Sequence, residues 1–179
     1  MHTKNELLKW YNNEYCLKEV KQNGLSLQYV KNQTEKICLE AVNQYGDALR
    51  YVKNQTKKLC LKAVKQDGKT IQYVKNQTVE ICLEAVKQNG HSLQYVKNPT
   101  EYLCLEAVKQ NGYALRYINN QTNELCLLAV KQNGDALRYV KNPTKKLCLY
   151  ALTQDSGSIQ YIDILKYPEL YEKYVFMIK

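Results

Sequence analysis

Seven cysteines are the first residues to consider for chemistry, at Cys16, Cys38, Cys60, Cys82, Cys104, Cys126 and Cys148. A thiol can close a disulfide, ligate a metal or act as a nucleophile, and each task needs a second group close by. The spacing supplies none. Every cysteine follows the last by 22 residues, and histidine, the usual companion ligand, occurs only at His2 and His91. Equivalent helices in a stack lie about 8–10 Å apart, beyond the roughly 7 Å that a disulfide tolerates between Cα atoms. From Cys38 onward each cysteine has Ile or Leu before it and Leu after it. That setting marks a small core hydrophobe.

Charge offers a second kind of chemistry. Lysine and arginine number 26 against 17 acidic residues, a net charge of +9. One lysine column is Lys21, Lys65, Lys87, Lys109 and Lys131; another is Lys31, Lys53, Lys75, Lys97 and Lys141. Both fall in the last turns of expected helices, where the macrodipole favours a cation. Position is explained that way, but the surplus is not. Repeated along a stack, the columns form two basic stripes, to which Arg50, Arg116 and Arg138 add. The candidate interaction surface is therefore Lys31, Arg50, Lys53, Lys75, Lys97, Arg116, Arg138 and Lys141. Such a footprint suits RNA, DNA or an acidic protein. Against nucleic acid, Glu40, Glu84 and Glu106 share a column that repels phosphate. The varied residues after Thr (Glu35, Lys57, Val79, Glu101, Asn123, Lys145) and after Gly (Leu25, Asp47, Lys69, His91, Tyr113, Asp135) suit an adaptable protein-binding rim or an unconstrained solvent face. An unbroken amide column, Gln22, Gln44, Gln66, Gln88, Gln110, Gln132 and Gln154, is expected to run as a hydrogen-bonded ladder between repeats.

A 22-residue period means a repeat architecture. In the unit 34–55, Thr34 is placed to cap a helix of about eleven residues. Ile37, Cys38, Ala41, Val42 and Tyr45 then fall on one broad face, with Leu39 round the side. Gly46 is expected at C′ with positive φ. A second helix, about Asp47 to Lys53, turns Ala48, Leu49 and Val52 inward and leaves Tyr51 at the boundary. Asn54, like Asn32, Asn76, Asn98, Asn120 and Asn142, is expected to end it in the left-handed region. Leu83 is assigned to the core, with truncation to alanine costing about 2–5 kcal/mol.

The fold class that follows is all-α, an α-solenoid of about seven 22-residue helix-turn-helix repeats with helical caps. Residues 1–13 form the N-terminal cap, with Leu7 and Leu8 in the Tyr and Val positions. Residues 14–162 form the solenoid and 163–179 a capping helix, in which Leu170 and Tyr174 replace Cys and Val. Val175, Phe176 and Ile178 are the alternative: an apolar surface for assembly.

The unit from Cys82 to Thr100, CLEAVKQNGHSLQYVKNPT, resembles the short helical repeats abundant in amoeba-infecting giant viruses of the mimivirus type. Related repeats occur in some Legionella effectors. The likeness covers roughly residues 14 to 162 and rests on the Ala-Val pair, the Lys-Gln-Asn-Gly turn and the Leu-x-Tyr of the second helix. It implies helical repeats and a binding scaffold, and it carries no catalytic residues.

Other classes fall away. No stretch of about eighteen apolar residues exists to cross a membrane, and Met1 to Trp10 lacks the apolar run of a secretory signal. Asn-Gln-Thr at Asn32, Asn54, Asn76 and Asn120 could accept glycans in a secreted chain, but Asn98-Pro99-Thr100 and Asn142-Pro143-Thr144 break the motif. An odd number of thiols fits a reducing compartment. A soluble intracellular protein is expected, in host cytoplasm, nucleus or a viral particle. No phosphate loop and no Ser-His-Asp or Cys-His set can be assembled, so no enzyme, cofactor or metal is expected. A protein partner is the leading expectation. Nonspecific nucleic-acid binding along the basic stripes, or a structural role in a particle, is the alternative.

Overall fold

The computed structural model describes residues 8–175. Every regular element among them is helical. The chain divides into two units, Met1–Asn98 and Pro99–Lys179. The first holds four long helices, α1 (Asn13–Gln22), α2 (Glu35–Gln44), α3 (Lys57–Gln66) and α4 (Val79–Gln88). The second holds α5 (Glu101–Gln110), α6 (Asn123–Gln132), α7 (Lys145–Gln154) and a final α8 (Pro168–Val175). A six-residue 3-10 helix follows each of α1 to α7, as in Gly46–Tyr51 after α2. Within each unit, long helices pack on successive long helices and 3-10 helices on successive 3-10 helices. Two such layers around one continuous core make an α-solenoid.

Each repeat starts and stops where local chemistry dictates. The Thr34 hydroxyl accepts the Ile37 N–H at 3.3 Å, and Thr56, Thr78, Thr100, Thr122 and Thr144 do the same in their repeats. Beyond the long helix the chain passes through one extended residue. In most repeats this is Asn or Asp, and its side chain caps the 3-10 helix: Asn23 accepts from Leu25 N–H and Asp67 from Lys69 N–H. The second helix is thus 3-10 rather than α, and it starts at the glycine. Spacing could not separate the two, because Leu49 and Val52 share a face at i, i+3 in either geometry. The expected inward set holds: Ala48, Leu49 and Val52 are buried, and Tyr51 is half-buried.

Two expectations about backbone conformation are corrected. No described residue has positive φ, glycine or otherwise. Asn54 does not end its helix in the left-handed region; the 3-10 helix ends at an extended Val52 (φ −71°, ψ 118°). The glycine column serves close approach instead. A Cβ on Gly24 would stand 2.3 Å from the Ala41 carbonyl oxygen in the next repeat, and one on Gly68 equally close to that of Ala85. In the second unit a Cβ on Gly112 or Gly134 would meet the Ala129 or Ala151 oxygen at 2.8 or 2.9 Å. The facing alanines are fully buried. Where the column reaches α7 the glycine becomes Ser156, which is exposed. Among the described residues α8 follows there in place of another ten-residue repeat helix, and a side chain is tolerated.

The core lies one residue before the cysteines, at Ile37, Leu59, Ile81, Leu103, Leu125 and Leu147, together with the Ala, Val and Cys columns. Leu83 is only half-buried, as are Leu39 and Leu61. It lies on the flank of the long helix, so the full cost of core truncation moves to Ile81.

At the N-terminal edge, Trp10 lends its carbonyl to Lys31 N–H (3.1 Å) and its ring packs against Tyr15 and Tyr29 (5.3 and 5.2 Å). Leu8, set in the Val position, is 55% exposed rather than buried, and Leu7 lies outside the described residues. At the other end Leu170 of α8 is buried. Glu169 pairs with Lys145 at 2.6 Å, and the Tyr167 hydroxyl donates to the Pro143 carbonyl at 3.0 Å. The side chains of Val175, Phe176 and Ile178 lie outside the described set.

Two stability measurements follow. Gly68→Ala should destabilise by about 1–3 kcal/mol through overpacking, while Gly157→Ala, whose Cβ would meet only the Asp155 side chain, should be near neutral in urea unfolding. Ile81→Ala should cost about 2–5 kcal/mol, and half-buried Leu83→Ala less, about 1–2 kcal/mol. Equal midpoints for the two members of either pair would contradict this packing.

Candidate interaction surface

All eight residues of the expected surface are exposed, but most are engaged within the chain. The lysine column reaches backwards. Lys53 Nζ donates to the Lys31 carbonyl at 2.8 Å, Lys75 to that of Lys53 at 2.7 Å, and Lys97 to that of Lys75 at 3.3 Å. In the second unit Lys141 donates to the Asn119 carbonyl at 2.9 Å. Each accepting carbonyl lies two residues beyond the 3-10 helix of its repeat, and its ammonium partner comes from the repeat ahead.

The arginines are stacked. Arg50 lies between Tyr51 and Tyr73, with ring centroids 5.2 and 5.3 Å away. Arg116 lies between Tyr117 and Tyr139 (5.1 and 5.5 Å), and Arg138 between Tyr139 and Tyr161 (5.2 and 5.6 Å). Each guanidinium thus joins a tyrosine of its own repeat to that of the next by cation–π contact.

The amide column hydrogen-bonds between repeats as expected, with backbone groups as partners. Gln66 Nε2 donates to the Val42 carbonyl at 2.9 Å, and Gln88 Oε1 accepts the Gly68 N–H at 2.7 Å. Gln132 does both in the second unit, accepting from Gly112 N–H and donating to the Lys109 carbonyl, each at 2.7 Å. A second amide set escaped the sequence reading, which assigned roles only to the Asn and Thr of Asn-Gln-Thr. Gln33 donates to the Tyr51 carbonyl at 2.8 Å and accepts the Lys53 N–H at 2.9 Å. Gln55, Gln77 and Gln121 make the same two-point clip to the following repeat. The available signal was its restriction: the position holds Gln or Pro from Gln33 to Pro143.

All seven cysteines are free and buried. Burial pushes each thiol above its ordinary pKa. A desolvated thiol of this kind is a poor nucleophile at neutral pH. Among the described residues no group of three or more His, Cys, Asp or Glu is arranged to hold a metal ion.

Variation is concentrated on the outward side of the long helices. One position reads Glu40, Lys62, Glu84, Glu106, Leu128 and Tyr150 through successive repeats. Charge is uneven as well. The repeat from Thr56 to Gln77 carries six lysines (Lys57, Lys58, Lys62, Lys65, Lys69 and Lys75) against one acid, Asp67. Its net +5 is more than half of the chain's +9. The two flanking repeats, 34–55 and 78–99, balance their charges. The surplus is therefore a local patch on α3 more than a pair of stripes. Counting charge by repeat would have revealed it.

A family model described as Domain of unknown function (DUF4116) matches residues 34–78, 56–99 and 101–143. The first two matches are offset by 22 residues, one repeat, and each takes in two units. Neither a curated protein nor a solved structure matches the chain. No helix among the described residues is long and apolar enough to cross a membrane.

The thiol geometry gives a pH dependence. A folded thiol with raised pKa keeps its proton when the unfolded one has lost it. Stability is therefore complete below the unfolded thiol pKa, about 8.5, and falls as pH rises beyond it. The urea midpoint should drop above that pH, and drop less in Cys60→Ala/Cys82→Ala. Iodoacetamide should label the thiols only after unfolding; fast labelling of the native protein would refute their burial.

Proposed function

The chain belongs to the DUF4116 family, a domain family of unknown function, and from that premise we propose that it is a non-catalytic repeat scaffold that binds a protein partner through an extended surface. The supporting observation is the contrast between two faces. Lysines and arginines of the 3-10 layer are tied to neighbouring repeats, whereas outward residues of the long helices change from repeat to repeat. A surface whose charged groups are engaged internally, and which repeats lysine from Lys31 to Lys97, has little with which to distinguish successive elements of a ligand. A varied one can distinguish them, and extended faces of this kind are how solenoids recognise partners.

Catalysis has little to draw on. The thiols are buried, and histidine is confined to His2 and His91. The resemblance of the repeat to those of giant viruses supports an intracellular role in a host cell. Nucleic acid is the competing partner, and along the 3-10 layer it would have to bind ammonium groups already bonded to carbonyls.

The experiment is capture of partners on the tagged protein from host lysate, with and without nuclease. A defined protein held in stoichiometric amount after nuclease treatment is the expected outcome. If all bound material vanishes with the nucleic acid, and binding falls by orders of magnitude between about 50 and 200 mM salt, the protein-scaffold reading is wrong.

A further inference from the structure

The exposed face of α3 combines a charge excess with an apolar floor. Lys57, Lys58, Lys62 and Lys65 border a shallow, open hollow of about 710 Å³, shared with half-buried Leu39 of α2 and Leu61 of α3. All four lysines are exposed. Position 62 is glutamate in the repeats on either side, Glu40 and Glu84, so the sign of the face reverses at α3 relative to both of its neighbours; α1 also carries lysine there, Lys18. One carboxylate is already seated at the margin: Glu80 of α4 pairs with Lys57.

We propose that this hollow is a docking site for an acidic amphipathic segment of a partner protein, with carboxylates meeting Lys58, Lys62 and Lys65 and an apolar side chain lying between Leu39 and Leu61. The inference rests on the protein-scaffold reading and gives that surface a location and a ligand chemistry. Charge complementarity carries it. Among the described residues, an acid of another repeat meets these lysines at Glu80, and its pairing with Lys57 shows the geometry a visiting carboxylate would copy. The leucines decide between polyanions. A phosphate backbone gains nothing from an apolar floor, and planar bidentate phosphate recognition calls for arginine, which α3 lacks. An apolar side chain on an acidic peptide is held by both features at once. Specificity then requires both, since either alone would admit any polyanion or any greasy peptide.

The test uses the full chain and a fluorescein-labelled 16-residue peptide bearing glutamates on one helical face and two leucines on the other. The same peptide with serine for leucine and a single-stranded oligonucleotide of equal charge serve as comparisons. The leucine peptide should bind at least tenfold more tightly than either. Lys58→Glu/Lys62→Glu and, separately, Leu61→Gln should each weaken it at least tenfold, with far-UV circular dichroism and urea midpoint showing the variants folded. Lys87→Glu, outside the hollow, should leave binding unchanged. Equal binding of the serine peptide, or tighter binding of the oligonucleotide, would overturn the proposal. So would no binding of the leucine peptide. If that happens while a nuclease-resistant protein is still captured by the Lys58→Glu/Lys62→Glu variant, the hollow fails and the scaffold reading stands. If no such protein is captured by the wild type either, both fail.

Discussion

The contact between a glycine and the alanine carbonyl of the next repeat is the constraint on which the rest depends. With Gly24 and Gly68, even one added carbon would sit 2.3 Å from that oxygen. Such proximity lets each 3-10 helix lie against the long helix that follows. It also brings the neighbouring groups into reach: Gln88 can accept the Gly68 N–H only because that backbone is so near. Small residues on both sides serve the same end, since Ala85 is fully buried opposite Gly68. A bulkier pair would open a gap and forfeit the dispersion contacts of the core behind it.

Once the repeats are close, polar groups complete the joint. A 3-10 helix of six residues leaves carbonyls and N–H groups at its end, and a bare stack would leave them poorly satisfied. Gln55 meets the Tyr73 carbonyl and the Lys75 N–H together, and Lys75 in turn meets the Lys53 carbonyl. The hydrogen bonds therefore run in both directions, forward from the glutamine and backward from the lysine. Pro99 and Pro143 mark the repeats without the forward amide. At Pro143 a tyrosine hydroxyl from beyond the last repeat, Tyr167, uses the carbonyl instead.

Much of this fold was legible because it obeys local rules. Thr34 caps its helix through its own neighbours, and Ile37, Cys38, Ala41 and Val42 announce a face by period alone. Gly46 and Asn54 were misread for the same reason. Their types are those of left-handed residues, but Gly46 answers to atoms of the following repeat, including the Ala63 carbonyl and the Gln66 amide. No local pattern encodes that distance. Leu83 was assigned to the core by its company, whereas burial depends on the angle at which the next helix arrives. The lysine column was visible, but its engagement was not, because a partner carbonyl 22 positions back has no side chain to notice. The patch on α3 is hidden in the net charge of the whole chain and shows only repeat by repeat, because the flanking repeats are balanced.

Ser156 has a consequence for how such a chain changes length. The inter-repeat hydrogen bonds described above join residues 18 to 24 apart. Excising or duplicating one 22-residue block within a unit therefore recreates the same joints between new neighbours. Growth at the end is different. A block appended after the seventh repeat would press its alanine carbonyl against the Cβ of Ser156, where the body always has glycine. Extension there needs a point change at Ser156 as well as a duplication, whereas the interior of a unit needs the duplication alone.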